Sequence, residues 1–345
     1  MSEAILRRVR PHVHIISRPI ADGQKKPPER GLCAGRRRRI LGSMWEILLQ
    51  AGMLVAVILL GYLLKRAGVL PEGAFGVVSK IVIYVTLPCV VIRNFARTEM
   101  DPAYLWMILL GFGSMALLAS IGYLLNRRRG TDRQIFDMLN FTGFNIGCFA
   151  LPYISGLTGV SAVVAVCMFD AGSALGAGGG LNALCRSMQE GTGFSFTAFL
   201  KRLCKTFLIV VYVVMIVLRL LAVPIPAVVV RFCDLCGSGN SFLAMLMLGL
   251  GVSLSIRADQ WKWILKAMAV RYGVALSLAF CFYRFLPFSA DVRLGAALAV
   301  LAPVASLAPP FTRERGGDYQ LASSWNTLTI LISLALMTAV MLLTA

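Results

Sequence analysis

Apolar residues run through this chain in long blocks divided by short polar stretches. A helix that crosses a bilayer needs about 20 predominantly apolar residues. Ten blocks approach that length, near 45–64, 74–96, 104–125, 133–156, 158–184, 203–222, 239–256, 261–286, 290–311 and 320–344. The pattern predicts an all-α polytopic membrane protein of ten transmembrane helices. Gly68 to Gly73, with Pro71, make the first turn, Arg127 to Arg129 close the third span, and Pro224 and Pro226 follow the sixth.

Two blocks carry residues that a plain membrane helix does not need. The fourth holds Asn140, Gly143, Asn145, Gly147 and Pro152 within thirteen positions. Asn is costly in hydrocarbon unless it is paired. Pro removes a backbone donor and clashes with the preceding turn. Non-helical backbone at membrane depth survives only where it is buried in protein or lines a cavity. The stretch 140–152 therefore predicts a discontinuous helix around a substrate cavity. The ninth block repeats the theme with Pro303, Pro309 and Pro310 around Ser306. The fifth contains Asp170, a carboxylate deep in an apolar run, followed by Gly172, Gly176 and Gly178 to Gly180. Small residues of this kind permit close helix contact.

The interrupted blocks are each the fourth of a set of five. An odd number of spans per set makes two repeats point in opposite directions, and paired interrupted segments mark the binding site of many transporters. The expected organisation is a basic extension over 1–43, a first five-helix repeat over 44–184, a cytoplasmic linker over 185–202 and a second repeat over 203–345. Loops after odd spans carry fifteen Lys or Arg against six after even spans. The positive-inside rule then places the odd loops in the cytoplasm and both termini outside, in a cell (inner) membrane.

Composition agrees. The chain of 345 residues is 58% hydrophobic and only 14% charged, against about 25% charged in soluble domains, and its mean hydropathy is +0.77. The formal net charge of +18 is uneven, because residues 1–43 hold eleven Lys or Arg, including Arg36 to Arg39, against three acids. Such an arm is a disordered basic tail, a targeting segment, or sequence ahead of a true start at Met44, where Trp45 opens the first span. The reading takes no nucleic-acid partner. Nine Cys lie mostly in apolar blocks, where Cys acts as a small hydrophobe. Cys233 and Cys236 are the one close pair, and both His, His12 and His14, lie in the extension. No metal cluster, nucleophile–His pair or nucleotide-binding fingerprint stands out. The expectation is no cofactor, no metal and no enzyme.

Several motifs together carry a resemblance. Gly61 to Leu70 (GYLLKRAGVL), Val82 to Pro88 (VIYVTLP), Asn145 to Pro152 (NIGCFALP), and Pro303 to Ala305 with Glu314, Gly317 and Asp318 downstream are similar to the conserved stretches of the auxin efflux carrier family, the bacterial relatives of the PIN-type carriers. The resemblance covers about Met44 to Ala345. It implies two inverted five-helix repeats whose broken helices 4 and 9 cross at mid-membrane. It also implies a scaffold of spans 1, 2, 6 and 7, a core of the remaining spans that moves as an elevator, and a homodimer. Its members carry organic anions such as auxin or dicarboxylates. This chain departs from the pattern at Ala150, where Gly is usual, at Ser306, where Asn is frequent, and at Arg315, where Tyr is usual.

The candidate roles follow. A broken helix leaves backbone N–H groups without intrahelical partners, and its N-terminal end carries about half a positive charge. Two such ends at mid-membrane make a carboxylate site without a buried Arg. The candidate substrate-binding residues are Asn145, Gly147, Asn140 and Ser306. Pro152 and Pro303 set the crossover. Asp170 is the candidate coupling group for a proton or sodium ion, and Asn326 with Thr327 is a further polar pair in the tenth span. The expected function is secondary active transport of organic anions, auxin-like or mono- or dicarboxylates. Its rivals are a sodium-coupled symporter of the bile-acid type and a membrane receptor that does not transport.

Overall fold

The computed structural model describes residues 30–345 except 72, 99–100, 126–127, 129, 192–196, 198–205, 254–255 and 345, and it describes side chains from residue 44. The chain divides into two units, Met1–Gly42 and Ser43–Ala345. In the first, residues 1–29 lie outside the described set and the rest is helical. The second is all-helical, with no strand among the described residues.

Seven of its helices are long and apolar enough to cross a membrane. They are α1 (Met44–Arg66), α2 (Ala74–Arg97), α3 (Pro102–Leu125), α6 (Val160–Glu190), α8 (Ala227–Gly251), α9 (Ala258–Phe285) and α12 (Tyr319–Thr344). A shorter apolar helix, α7 (Phe207–Leu220), precedes α8. The remaining two apolar blocks are each split. The first gives α4 (Thr131–Phe141) and a second helical run, α5, over residues 146–155. The second gives α10 (Ala290–Val300) and α11 (Ala308–Glu314).

Two spans differ from the sequence expectation. Helix α8 starts at Ala227 rather than near 239, directly after Pro226, whose fixed φ suits the residue before a helix. Its first half carries Arg231 and Asp234, which break the apolar pattern, and Asp234 pairs with Arg97 of α2 at 2.6 Å. Helix α6 continues to Glu190, past the expected end at 184. Arg186 and Glu190, one turn apart, pair at 2.7 Å, and Gly191 ends the helix with φ +64, a backbone conformation that glycine adopts without steric cost. Most of the rest of the expected linker lies outside the described residues.

Burial sorts the helices. Nearly every side chain of α5 and of the first half of α6 is buried, as are Val292 and residues 295–300 of α10, and these segments form the centre of one continuous core. By contrast α1, α7 and the start of α8 turn Leu49, Leu63, Val213, Val214, Val228 and Leu235 outward. In water such a surface would be an aggregation hazard. In a bilayer it is the face the lipid requires, and the chain is a multi-pass membrane protein. Glycine sets the closest approaches. A Cβ on Gly111 of α3 would run into the carbonyl oxygen of Phe169, and one on Gly172 of α6 into that of Ile108.

Candidate functional site

The interruption between α4 and α5 begins where Phe141 ends the first helix. Gly143 has φ +78, which turns the chain. Asn145 then precedes α5 without capping it by its side chain. Between α10 and α11, residues 301–307 are non-helical and contain Pro303. The two interruptions meet. The Asn145 backbone N–H donates to the Pro303 carbonyl at 2.8 Å, and its side-chain amide donates to Ser306 Oγ at 2.7 Å. The amides of Ile146, Gly147 and Cys148 open α5 and so have no intrahelical acceptor. The first intrahelical donors are Phe149 and Ala150, both to Asn145 O at 3.2 Å.

A cavity of about 170 Å³ opens beside this junction. Its walls are mainly apolar, with Ile83, Leu87, Leu139, Phe144, Leu208 and Phe311 prominent. Its polar lining includes Asn145, Ser306, Thr142, Ser173 and Asp170, and among the described residues no Lys, Arg or His. Gly147 faces Leu87 so closely that a Cβ there would sit 2.5 Å from Leu87 Cδ2. Asp170 is buried, and the Tyr212 hydroxyl of α7 donates to its carboxylate at 2.7 Å.

Of the residues expected from the sequence, Asn145, Gly147, Ser306 and Asp170 therefore share one cavity. Asn140 does not line it. Its amide donates to Phe136 O and Thr312 Oγ, both at 2.9 Å, so it ties α4 to α11. Pro303 lies in its interruption, next to Asn145. Pro152 does not: it sits inside α5, where a π-helical turn (Ile146–Ala150) passes into α-helix. Such a turn absorbs a residue whose N–H is missing. The chain around Gly143 makes the break instead. Asn326 braces the second interruption, donating to Val304 O at 3.2 Å and Ala305 O at 3.1 Å. Thr329 accepts from the Val304 N–H at 3.2 Å.

One buried residue that sequence reasoning did not single out also joins the two interruptions, without lining the cavity. Arg271 of α9 is 1% exposed. Its guanidinium donates to Phe141 O at 2.5 Å, Ala302 O at 3.0 Å and Gly143 O at 3.4 Å. These carbonyls lie where α4 and α10 end, and helix C-terminal ends carry partial negative charge. A single cation thus satisfies the carbonyl ends of both interrupted segments from behind the cavity. The signal was present in the sequence, since an Arg midway along an apolar span is rare and marks function or a buried partner. Tyr212 gave no such signal, being one aromatic in an apolar run.

An all-helical membrane protein with two interrupted helices joined over a small, mostly apolar cavity is the build of a membrane transporter. Comparison with known proteins agrees. Residues 49–216, just under half of the chain, match the family described as "Membrane transport protein", in keeping with the resemblance to the auxin efflux carriers. A relative named "Uncharacterized transporter", from Methanothermobacter thermautotrophicus, is 28% identical over 127 residues. That alignment spans 35% of this chain and 41% of the relative.

Proposed function

We propose that the protein is a secondary active transporter of organic anions in the cell (inner) membrane. The observation that carries this reading is the junction of the two interruptions: Asn145 and Ser306 joined across 161 positions of sequence, beside the opening amides of α5 and a cavity of about 170 Å³. A carboxylate placed there takes the Ile146, Gly147 and Cys148 amides and the Asn145 side chain as donors. The apolar walls take the rest of the molecule.

In this reading the chain has ten spans in two inverted repeats of five, with α4/α5 and α10/α11 as the crossing pair. Each is fourth in its set, which supports the arrangement. Helices α1, α2, α7 and α8 form the scaffold. Helices α3 to α6 and α9 to α12 form the core that carries the cavity across the membrane as an elevator. The excess of Lys and Arg in alternate loops supports termini on the outer side, and the family resemblance supports a homodimer.

A sodium-coupled symporter of the bile-acid type is the second reading. A smaller cavity of about 30 Å³ on the other side of Ser306, lined also by Ser323, Asn326 and Thr327, favours it, since hydroxyl and amide oxygens suit a hard cation. The test is uptake by purified protein in liposomes of phenylacetate, indole-3-acetate, lactate, malate and malonate, with and without proton or sodium gradients. Uptake that Asn145→Ala abolishes supports the site. Uptake indifferent to that change places the site elsewhere. No uptake of any acid favours a receptor that does not transport.

A further inference from the structure

Among the described residues the cavity holds one formally charged side chain, and its sign is the wrong one for an anion. Asp170 lines the same space as Asn145 and Ser306, and among the described residues no Lys, Arg or His lines it. The cation nearest in role, Arg271, is committed to Phe141 O, Gly143 O and Ala302 O and does not line the cavity. An ionised Asp170 would face an entering carboxylate across an apolar space, where like charges repel far more strongly than in water.

The surroundings of Asp170 offer one way out. Its hydrogen-bond partner among the described residues is Tyr212, from α7. Cys148 of α5 and Cys167, one turn earlier on α6, are the other titratable groups beside it. Helices α2, α3 and α10, also packed on α6, bring no charged or titratable side chain against it among the described residues. A sodium ion needs several oxygen ligands at once. Against Asp170 itself the described residues set one phenol oxygen and two thiols. A proton needs only the carboxylate itself.

We propose that the anion occupies the cavity only together with a proton on Asp170, one proton per monovalent anion, so that the carrier is an electroneutral anion–proton symporter. This rests on the transporter reading above and names its coupling ion. The proton comes from water, bonds to the free Asp170 oxygen on loading, and returns to water when the anion leaves. Tyr212 still donates to the other oxygen. A dianion brings a second charge for which the cavity has no proton acceptor, so it is carried with net charge movement or not at all.

The experiment is binding of the five radiolabelled acids named above to the protein in nanodiscs, from mildly acid to mildly alkaline pH, followed by uptake into liposomes with simultaneous recording of current. For the best-bound monocarboxylate, affinity should fall by about tenfold per pH unit once Asp170 ionises, and uptake should move no net charge. Asp170→Asn, fixed in the neutral form, should bind with one affinity across the range. Tyr212→Phe, which removes only the donor to the carboxylate, should shift the profile toward alkaline pH and serves if Asp170→Asn does not fold. A wild-type affinity that is flat with pH, a pH slope that survives in Asp170→Asn, or a strict need for sodium would overturn the proposal alone. Failure to bind or carry any of the five acids would overturn both it and the transporter reading.

Discussion

Replacing Arg271 by Met tests what holds the two interruptions together. The side chains are of similar length, so the change removes charge and donors and leaves little empty volume. Two of the three contacts are well formed, at 2.5 Å to Phe141 O and 3.0 Å to Ala302 O. The third, at 3.4 Å to Gly143 O, is too long to count heavily. A hydrogen bond to a charged group contributes about 1.5–3 kcal/mol net, so the two together give about 3–6 kcal/mol. That is at least a hundredfold in the folding equilibrium, since about 1.4 kcal/mol is tenfold. Unfolding by denaturing detergent, followed through the fluorescence of Trp263 and Trp325, measures it. These two indoles lie 5.0 Å apart and report on α9 and α12. Arg271→Lys keeps the charge but offers a single ammonium where a planar fork spans carbonyls from both segments, and should recover less than half of the loss. A Met variant within about 1 kcal/mol of wild type, less than one such bond contributes, would refute the reasoning: water would then be satisfying those carbonyls and the guanidinium would hold nothing.

Other positions give sharper or simpler tests. Gly172→Val should prevent stable folding, because its Cβ would meet the Ile108 backbone, whereas Gly113→Ala on the same interface's outer side, with nothing within 4 Å, should be tolerated in a thermal melt. Asn145→Ala should leave the fold intact by melting temperature yet abolish saturable uptake in liposomes. Thr312→Val removes the hydroxyl that accepts from Asn140 at 2.9 Å and should cost about 1–3 kcal/mol in detergent unfolding, the penalty of a buried polar group left without its partner.

The sequence showed where the chain must be irregular better than how. Asn145, Gly147, Ser306 and Asp170 were legible because each is an expensive or helix-weakening residue in an apolar run, and such residues survive only with partners. The cause of the first break was misjudged. Pro152 was the visible helix breaker, yet a π-helical turn absorbs it, and Gly143, with φ +78, makes the turn. Arg271 stood out by its charge in an apolar span, but its partners did not. Its span is long and otherwise ordinary, and its partners lie 128, 130 and 31 positions away. Trp263 stacks on Trp325 and carries the Arg133 guanidinium 3.5 Å from its ring centroid. Contacts of that kind are set by tertiary packing, and periodicity does not encode them.

The two buried charges near the junction are provided for very differently, and the difference assigns their roles. Arg271 has three carbonyl acceptors from two segments and cannot lose its proton under any condition a cell provides. It is a fixed charge, matched to fixed dipoles, on the side of the interruptions away from the cavity. Asp170 has one phenol donor, faces the cavity, and can change its charge by taking up a proton. A residue that only stabilised the fold would gain from a second donor, because a buried carboxylate with one hydrogen bond is costly when ionised. An amide at the same place would keep the Tyr212 contact without that cost. If Asp170 is structural, Asp170→Asn should raise the unfolding midpoint and leave the pH dependence of binding untouched. If it is the coupling group, the same variant should raise the midpoint and remove that pH dependence. Measuring both on one sample separates a carboxylate retained for its proton from one that the fold merely tolerates.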